Sequence, residues 1–152
     1  VPSYLYGPND YFSASHGHLV AAALGKLHEA RESDAETVTI WGDGTARREF
    51  TYAPDLAGWL VGQIGRLSAW PPALNISAGI DHSITDYYRV AAGVVGYRGA
   101  FLHDTSKPAG MPARLLDSSA ARGLGWASAT SLAEGMSATY ESFLTSDRRG
   151  AR

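Results

Sequence analysis

Residues 73–104, ALNISAGIDHSITDYYRVAAGVVGYRGAFLHD, contain a strand, a helix and a second strand in succession. ALNISAG is a short apolar segment that ends in glycine, which predicts a strand. In HSITDYYRVAAGVVGY, Ser83 and Asp86 have the spacing of an N-terminal capping pair, and Gly96 is a typical helix stop. AFLHD predicts the second strand. This alternation is typical of an α/β fold.

The rest of the chain continues the alternation. Apolar residues recur at helical spacing over about 17–31, and three more helices have recognisable starts: Pro54, Asp117 (for a short helix ending near Gly123) and the Ser131–Glu134 capping pair. Asp43-Gly44 between two alternating runs predicts a β-hairpin. We interpret YLYGPNDYFSAS and TSKPAGMPARLLD as loops. We expect one domain over 1–145, with too few strands for a complete doubly wound sheet, and a disordered tail over 146–152.

Composition excludes several classes of protein. The 152 residues carry a net charge of −2, so the chain has no overall basic charge with which to attract nucleic acid or an anionic membrane. Its apolar runs are too short to span a bilayer. It has no cysteine, which excludes disulfides, thiolate zinc sites and a cysteine nucleophile from this chain. We expect a cytoplasmic protein.

Two histidines flank Gly17 at the start of the first predicted helix. His18 falls in the first turn, where the helix dipole disfavours an imidazolium and suits a proton-transfer group. Taken alone, the spacing favours a histidine that only fills a helix start, and we interpret His16 as a loop residue. A metal site with His28 is a further alternative, but no carboxylate or thiolate completes it, and we predict no metal.

Cationic residues follow in three places. Lys26 lies about 12 Å along the helix axis from His18. Arg47 and Arg48 point to opposite faces of a strand, so only one of them can face a given cleft, and the nearby Trp41 offers a stacking surface. The third place is the predicted loop 105–117, which carries Lys107 and Arg114. Together these cations fit an anionic sugar nucleotide. The arginine pair fits solvated residues beside a turn equally well, and the loop taken alone is more typical of a surface connection.

Taken in order, eight segments resemble the C-terminal half of the GDP-L-fucose synthase family. These enzymes are bifunctional epimerase/reductases among the extended short-chain dehydrogenase/reductases of the NAD-dependent epimerase/dehydratase family. The segments are YLYGPND, HGHLVAAALGKLHEA, VTIWGDGTARREFTYAPDLA, LNISAG, SITDYYRVAAGVVGYRG, DTSKPAGMPARLLD, LGW and SLAEGMSATYESFL. The implied fold is an α/β substrate-binding part with remnants of a Rossmann sheet.

The resemblance implies a two-step reaction on GDP-4-keto-6-deoxymannose, in which epimerisation at C3 and C5 precedes hydride transfer from NADPH to C4. It implies that His18 is the acid of the epimerisation and also contacts the cofactor. It places Pro2, Ser3, Tyr4 and Leu5 beside the nicotinamide. It places Lys26, Trp41 and Arg48 at the GDP-sugar, and we add Arg114 to that substrate site.

The chain departs from the family in what it lacks. The Gly-rich cofactor motif, the Tyr-x-x-x-Lys pair and the partner cysteine do not occur in it. We therefore expect NADP to be bound mainly by a missing N-terminal Rossmann half, and the chain alone to be inactive. We also expect the isolated chain to associate or to be marginally stable. The partners we expect are the GDP-sugar substrate and either the missing N-terminal half or a second copy in a homo-oligomer.

Two alternatives remain. Lys26 stands where the family more often has arginine, and a substrate-contacting arginine of the family matches Ala100. These departures leave open another nucleotide-sugar 4-epimerase or reductase. The absent tyrosine and lysine leave open a non-catalytic or vestigial sugar-nucleotide-binding module.

Overall fold

A computed structural model describes residues 1–13, 17–108 and 110–150, of which 146–150 are described by their backbone only. The five helices of this described part are α1 (Leu19–Glu32), α2 (Ala53–Gly62), α3 (Ile84–Val95), α4 (Ser119–Gly123) and α5 (Leu132–Gly150), with a 3₁₀ turn at Leu67–Ala69. Its seven strands are β1 (Tyr4–Tyr6), β2 (Thr37–Trp41), β3 (Arg47–Arg48), β4 (Phe50–Tyr52), β5 (His82–Ser83), β6 (Ala100–Asp104) and β7 (Ala113–Arg114). The predicted α/β class is confirmed.

The strands form three small sheets. β1 pairs in parallel with β4, and β2 pairs in parallel with β6. β3 lies between β5, to which it is antiparallel, and β7, to which it is parallel. The strand predicted at 73–79 is reduced to a single parallel bridge, between Ile76 and Pro2.

The predicted hairpin at Asp43-Gly44 is wrong, because β2 and β3 pair with other strands. The Asp43 carboxylate instead accepts hydrogen bonds from the backbone N–H and hydroxyl of Thr45, which closes a local turn. The carbonyl of Gly44 accepts from the backbone N–H of Thr85 at the start of α3. Gly44 has φ +74°, and a Cβ there would clash with the Thr85 hydroxyl and with His103. The turn is therefore built to pack on α3.

The interpretation of residues 4–6 as loop is also wrong, since they form β1, and residues 113–114 of the second predicted loop form β7. The five predicted helices form, as does the strand AFLHD. Ser83 and Asp86 form a reciprocal capping box and Gly96 ends α3 at φ +82°. Ser131 and Glu134 exchange the same kind of bonds at the start of α5. The disordered tail over 146–152 remains a prediction. Residues 146–150 belong to α5, and residues 151 and 152 lie outside the described residues.

The buried side chains form two clusters. The larger cluster packs α1, α3 and α5 against β2 and β4, with Leu24, Tyr87 and Met136 at its centre. The smaller cluster lies behind β1 and consists of Leu56, Leu74, Ile76, Ala121 and Trp126. None of the described helices combines the length and apolarity that crossing a membrane requires.

Candidate functional site

A cleft of about 240 Å³ opens where β1, β3 and β4 meet the first turns of α1 and α3. One wall is aromatic, because Tyr4 stacks on Phe50 with ring centroids 5.3 Å apart. The other walls carry an imidazole and a guanidinium. The lining residues are Tyr4, Gly17, His18, Leu19, Arg48, Phe50 and Ile84.

His18 occupies the N-cap position of α1 and so lies one position before the helix, where the sequence placed it inside the first turn. Its backbone is extended (φ −65°, ψ 157°), and its side chain makes no capping hydrogen bond. The exposed imidazole lies 6.3 Å from the Tyr4 ring, measured between centroids. The ring is thus free to contact a molecule in the cleft. His16 lies outside the described residues.

Arg48 and Arg114 are neighbours across the β3–β7 pair, and both lie beside the cleft. Arg48 donates to the carbonyls of Arg47 and Met111, at 2.7 and 2.6 Å. Arg114 donates to the Tyr4 hydroxyl at 3.1 Å, and its guanidinium carbon lies 5.0 Å from the centre of the Tyr4 ring. Within the described residues neither guanidinium has a carboxylate partner. Two adjacent, uncompensated guanidiniums suit a phosphate or diphosphate.

Arg47 points away from this cleft, as strand alternation predicts. It pairs with Asp81 at 2.8 Å, and the hydrogen bond from Arg47 lowers the pKa of the Asp81 carboxyl. The two consecutive arginines therefore have different roles. The ion pair of Arg47 with Asp81 connects β3 to the loop before β5, and Arg48 faces the cleft.

Glu49 is a residue of the site region that the sequence analysis missed. It is only 1% exposed, and its two carboxylate oxygens accept from the backbone N–H of Gly79, at 2.6 Å, and of Leu116, at 3.0 Å. These bonds fix two loops next to Arg48 and Arg114. No local pattern in the sequence marks Glu49 as buried, because acidic residues are usually exposed.

Lys26 and Trp41 lie away from the cleft. The Lys26 ammonium donates to the carbonyl of Thr39 in β2, and partial burial lowers the pKa of this lysine. Trp41 ends the same strand with 68% of its surface exposed, and the Lys107 ammonium lies 5.8 Å from its ring centre. Their assignment to the GDP-sugar remains a prediction.

Of the four residues predicted to lie beside the nicotinamide, only Tyr4 lines the cleft. Pro2 bridges to Ile76, and the Ser3 hydroxyl is hydrogen-bonded to the Thr51 hydroxyl at 2.7 Å. Leu5 packs against the smaller cluster. Their role with the cofactor also stays a prediction.

The described residues contain no group of three or more histidine, aspartate or glutamate side chains placed to hold a metal ion. His28, considered above as a ligand, is instead hydrogen-bonded through Nδ1 to the Tyr140 hydroxyl at 2.8 Å.

Comparison with known proteins agrees with the resemblance seen in the sequence. Residues 1–72 match the model of the NAD dependent epimerase/dehydratase family. The chain is 40% identical to a GDP-L-colitose synthase from Yersinia pseudotuberculosis, over 95% of this chain and 47% of that protein. It is 38% identical to a GDP-L-fucose synthase from Azorhizobium caulinodans, over 93% of this chain and 45% of that protein.

Among solved structures, a GDP-mannoheptose C4 reductase from Campylobacter jejuni with NADP bound superposes with a TM-score of 0.80 at 25% identity. The match covers 95% of this chain and 52% of the reductase. The chain thus spans about half the length of the proteins it matches, and the predicted resemblance to this group of epimerases and reductases is confirmed.

Proposed function

From the relationship of this chain to the NAD-dependent epimerase/dehydratase family, and within it to GDP-L-fucose synthases, we propose that it is the sugar-nucleotide-binding part of an NADP-dependent epimerase/reductase. Its substrate would be a GDP-4-keto-6-deoxy sugar, converted as in GDP-L-fucose synthesis. The observation that carries the proposal is the cleft in which a free imidazole lies near two guanidiniums without carboxylate partners.

In this proposal His18 transfers a proton to the carbon next to the 4-keto group during epimerisation. The exposed ring, free of capping bonds, is available for such a transfer. Arg48 and Arg114 bind the diphosphate, because planar guanidiniums form paired hydrogen bonds to phosphate oxygens. Trp41, at the end of β2, and Lys26 of α1, which donates to Thr39 of β2, serve the nucleotide end.

NADPH, when bound, would supply the hydride that reduces C4. Tyr4 is the residue of this chain best placed to contact the nicotinamide, since its ring lines the cleft beside His18. The Gly-rich turn and the Tyr-x-x-x-Lys pair that hold the cofactor and protonate the C4 oxygen in the family are absent from these 152 residues. We infer that a further Rossmann half supplies them and that this chain alone does not turn over.

The test joins this chain to the part of the Azorhizobium GDP-L-fucose synthase that it does not match. NADPH oxidation is followed with GDP-4-keto-6-deoxymannose. The joined protein should turn over, and His18→Gln should lower kcat by about 100-fold or more, the usual contribution of a general acid. The matched control is His103→Gln, which removes an exposed imidazole of β6 and should leave kcat unchanged.

Each contrary result has a definite meaning. Turnover by the chain alone would refute the inference that it needs a further half. Equal losses in the two histidine variants would refute the role of His18. GDP-sugar binding without turnover in the joined protein would favour the non-catalytic binding module.

A further inference from the structure

Glu49 is a buried carboxylate to which the proposed function gives no role. It lies between β3 and β4 in the sequence, and only 1% of its surface is exposed. None of the described lysine, arginine or histidine side chains forms an ion pair with it. Removing a carboxylate from water costs free energy unless its oxygens are hydrogen-bonded. The position of Glu49 therefore depends on the groups that its two oxygens contact.

Both partners of this carboxylate are backbone N–H groups. One oxygen accepts from Gly79 at 2.6 Å, and the other oxygen accepts from Leu116 at 3.0 Å. A carboxylate accepts through both of its oxygens, whereas an amide side chain has one acceptor oxygen and one donor nitrogen. A glutamine at this position can therefore keep only one of the two bonds.

The two N–H groups belong to the segments on either side of β3. Gly79 lies three residues before His82, which β5 pairs with Arg48. Leu116 lies two residues after Arg114, which β7 pairs with Arg48. β5 and β7 have two residues each, so their pairing with β3 alone holds them weakly. Glu49 gives each of these short strands a further point of attachment.

The attachment of β7 matters to the cleft because it carries Arg114. The guanidinium of Arg114 donates to the Tyr4 hydroxyl and lies over the Tyr4 ring, so it can move with β7. Arg48 is held on β3 by two carbonyl groups. The distance between the two guanidiniums is thus set by the distance between β3 and β7. A diphosphate gains from both arginines only when both lie at the right distance from it.

We propose that Glu49 is a positioning residue for the diphosphate of the substrate, because its two hydrogen bonds set the spacing of Arg48 and Arg114. The inference rests on the proposed function, in which these two arginines bind the diphosphate. It adds a residue that touches no ligand and determines how well two others do so.

A double-mutant cycle with GDP tests this role. The affinity for GDP is measured by isothermal titration calorimetry for the native chain, Glu49→Gln, Arg114→Gln and the double variant. Each single variant should weaken the affinity about tenfold, the effect of losing one hydrogen bond to a charged group. The double variant should be weaker than Arg114→Gln by about twofold or less, because an absent arginine needs no positioning. Losses that multiply to about a hundredfold would overturn the inference, since independent effects combine in this way.

Thr51→Val is the matched control for a general disturbance of the same segment. The Thr51 side chain is fully buried, and its hydroxyl accepts from the N–H of Ala78, next to Gly79, at 2.9 Å. The valine loosens the segment before β5 but leaves β7 attached to Glu49, so the affinity for GDP should stay almost unchanged. A loss as large as that of Glu49→Gln would show that any disturbance of this segment weakens the site, and would overturn the inference.

Glu49→Asp is a second variant in case Glu49→Gln does not fold. It keeps the charge, but its side chain is one methylene shorter and cannot reach both N–H groups, so the same cycle with Arg114→Gln applies. If neither variant has the far-UV circular dichroism of the native chain, Glu49 is required for folding as a whole, and the positioning role is overturned.

Inorganic pyrophosphate, titrated into the same proteins, separates this inference from the proposed function. A native chain that binds pyrophosphate but not GDP, with losses that do not multiply, supports the inference and counts against the function. A native chain that binds GDP no better than Glu49→Gln does overturns the inference and leaves the function standing. A native chain that binds neither probe overturns both.

Discussion

At the scale of single residues, Arg47 and Arg48 show how neighbours in sequence acquire different roles. Strand alternation turns them to opposite sides. Asp81 neutralises Arg47, whereas Arg48 is held beside the cleft by two carbonyl groups that leave its charge uncompensated. An anion in the cleft therefore gains more from Arg48 than from Arg47.

This difference predicts the effect of removing each charge. Arg48→Gln should weaken the affinity for GDP by about tenfold, because a hydrogen bond to a charged group contributes about 1.5 kcal/mol or more. Arg47→Gln removes an exposed ion pair and should leave the affinity almost unchanged. Isothermal titration calorimetry of the two variants measures both values. Equal losses of affinity would show that the cleft beside Arg48 is not the diphosphate site.

Some site residues could be predicted from the sequence, and others could not. His18 and Arg48 stand in local patterns, a helix start and an alternating strand, that fix where their side chains point. Glu49 could not be found in this way, because its partners Gly79 and Leu116 are distant in sequence. As with Glu49, long-range packing decides whether Lys26 and Trp41 reach the ligand, and no local sequence pattern predicts it.

At the scale of elements, local signals predicted helices well and strand pairing poorly. The capping boxes of α3 and α5 depend on residues three positions apart, so spacing alone finds them. The Asp43-Gly44 turn has the composition of a hairpin, yet β2 pairs with β6, about sixty residues later. α3 lies between β2 and β6 in the sequence, and its packing decides which strands pair. The composition of a turn carries no information about such packing.

The α3 capping box supports the cleft, because Ile84 lines it and Thr85 anchors the Gly44 turn. Ser83→Ala should lower the free energy of unfolding by about 1 kcal/mol, the usual cost of losing an N-cap. Hydrogen bonds from Ser83 lower the pKa of the Asp86 carboxyl. This stabilisation is therefore present above the ordinary carboxyl pKa and is lost as the pH falls through the lowered value.

Urea denaturation of the native chain and of Ser83→Ala, at neutral pH and in acid, measures this effect. The free energies of unfolding of the two proteins should differ at neutral pH, and this difference should become smaller in acid. Arg89→Ala is the control, since it removes only an exposed ion pair with Asp86. A difference that is the same at both pH values would contradict the role given to the carboxylate.

At the scale of the whole molecule, the two buried clusters differ in how well the chain encloses them. Three helices surround the larger cluster. Exposed apolar residues at the end of α2 and after it, Val61, Ile64 and Leu67, lie on the outer side of the smaller cluster. The buried indole N–H groups of Trp59 and Trp70 beside it have no acceptor among the described residues, whereas the larger cluster has one such group, the Tyr97 hydroxyl. Each such group costs about 1–3 kcal/mol. The smaller cluster is therefore the weaker part of the chain, as expected if its full packing requires a further segment.

This asymmetry predicts that the isolated chain unfolds in two steps. Trp59, Trp70 and Trp126 all belong to or pack on the smaller cluster, so tryptophan fluorescence reports mainly on it, whereas far-UV circular dichroism reports mainly on α1, α3 and α5. The fluorescence transition should precede the dichroism transition by about 1 M urea, since noncoincident probes reveal a partly unfolded state. Trp41→Phe, which removes the one tryptophan outside the cluster, should sharpen the first step. Coincident transitions would show that the chain is a single cooperative unit that needs no further segment for its stability.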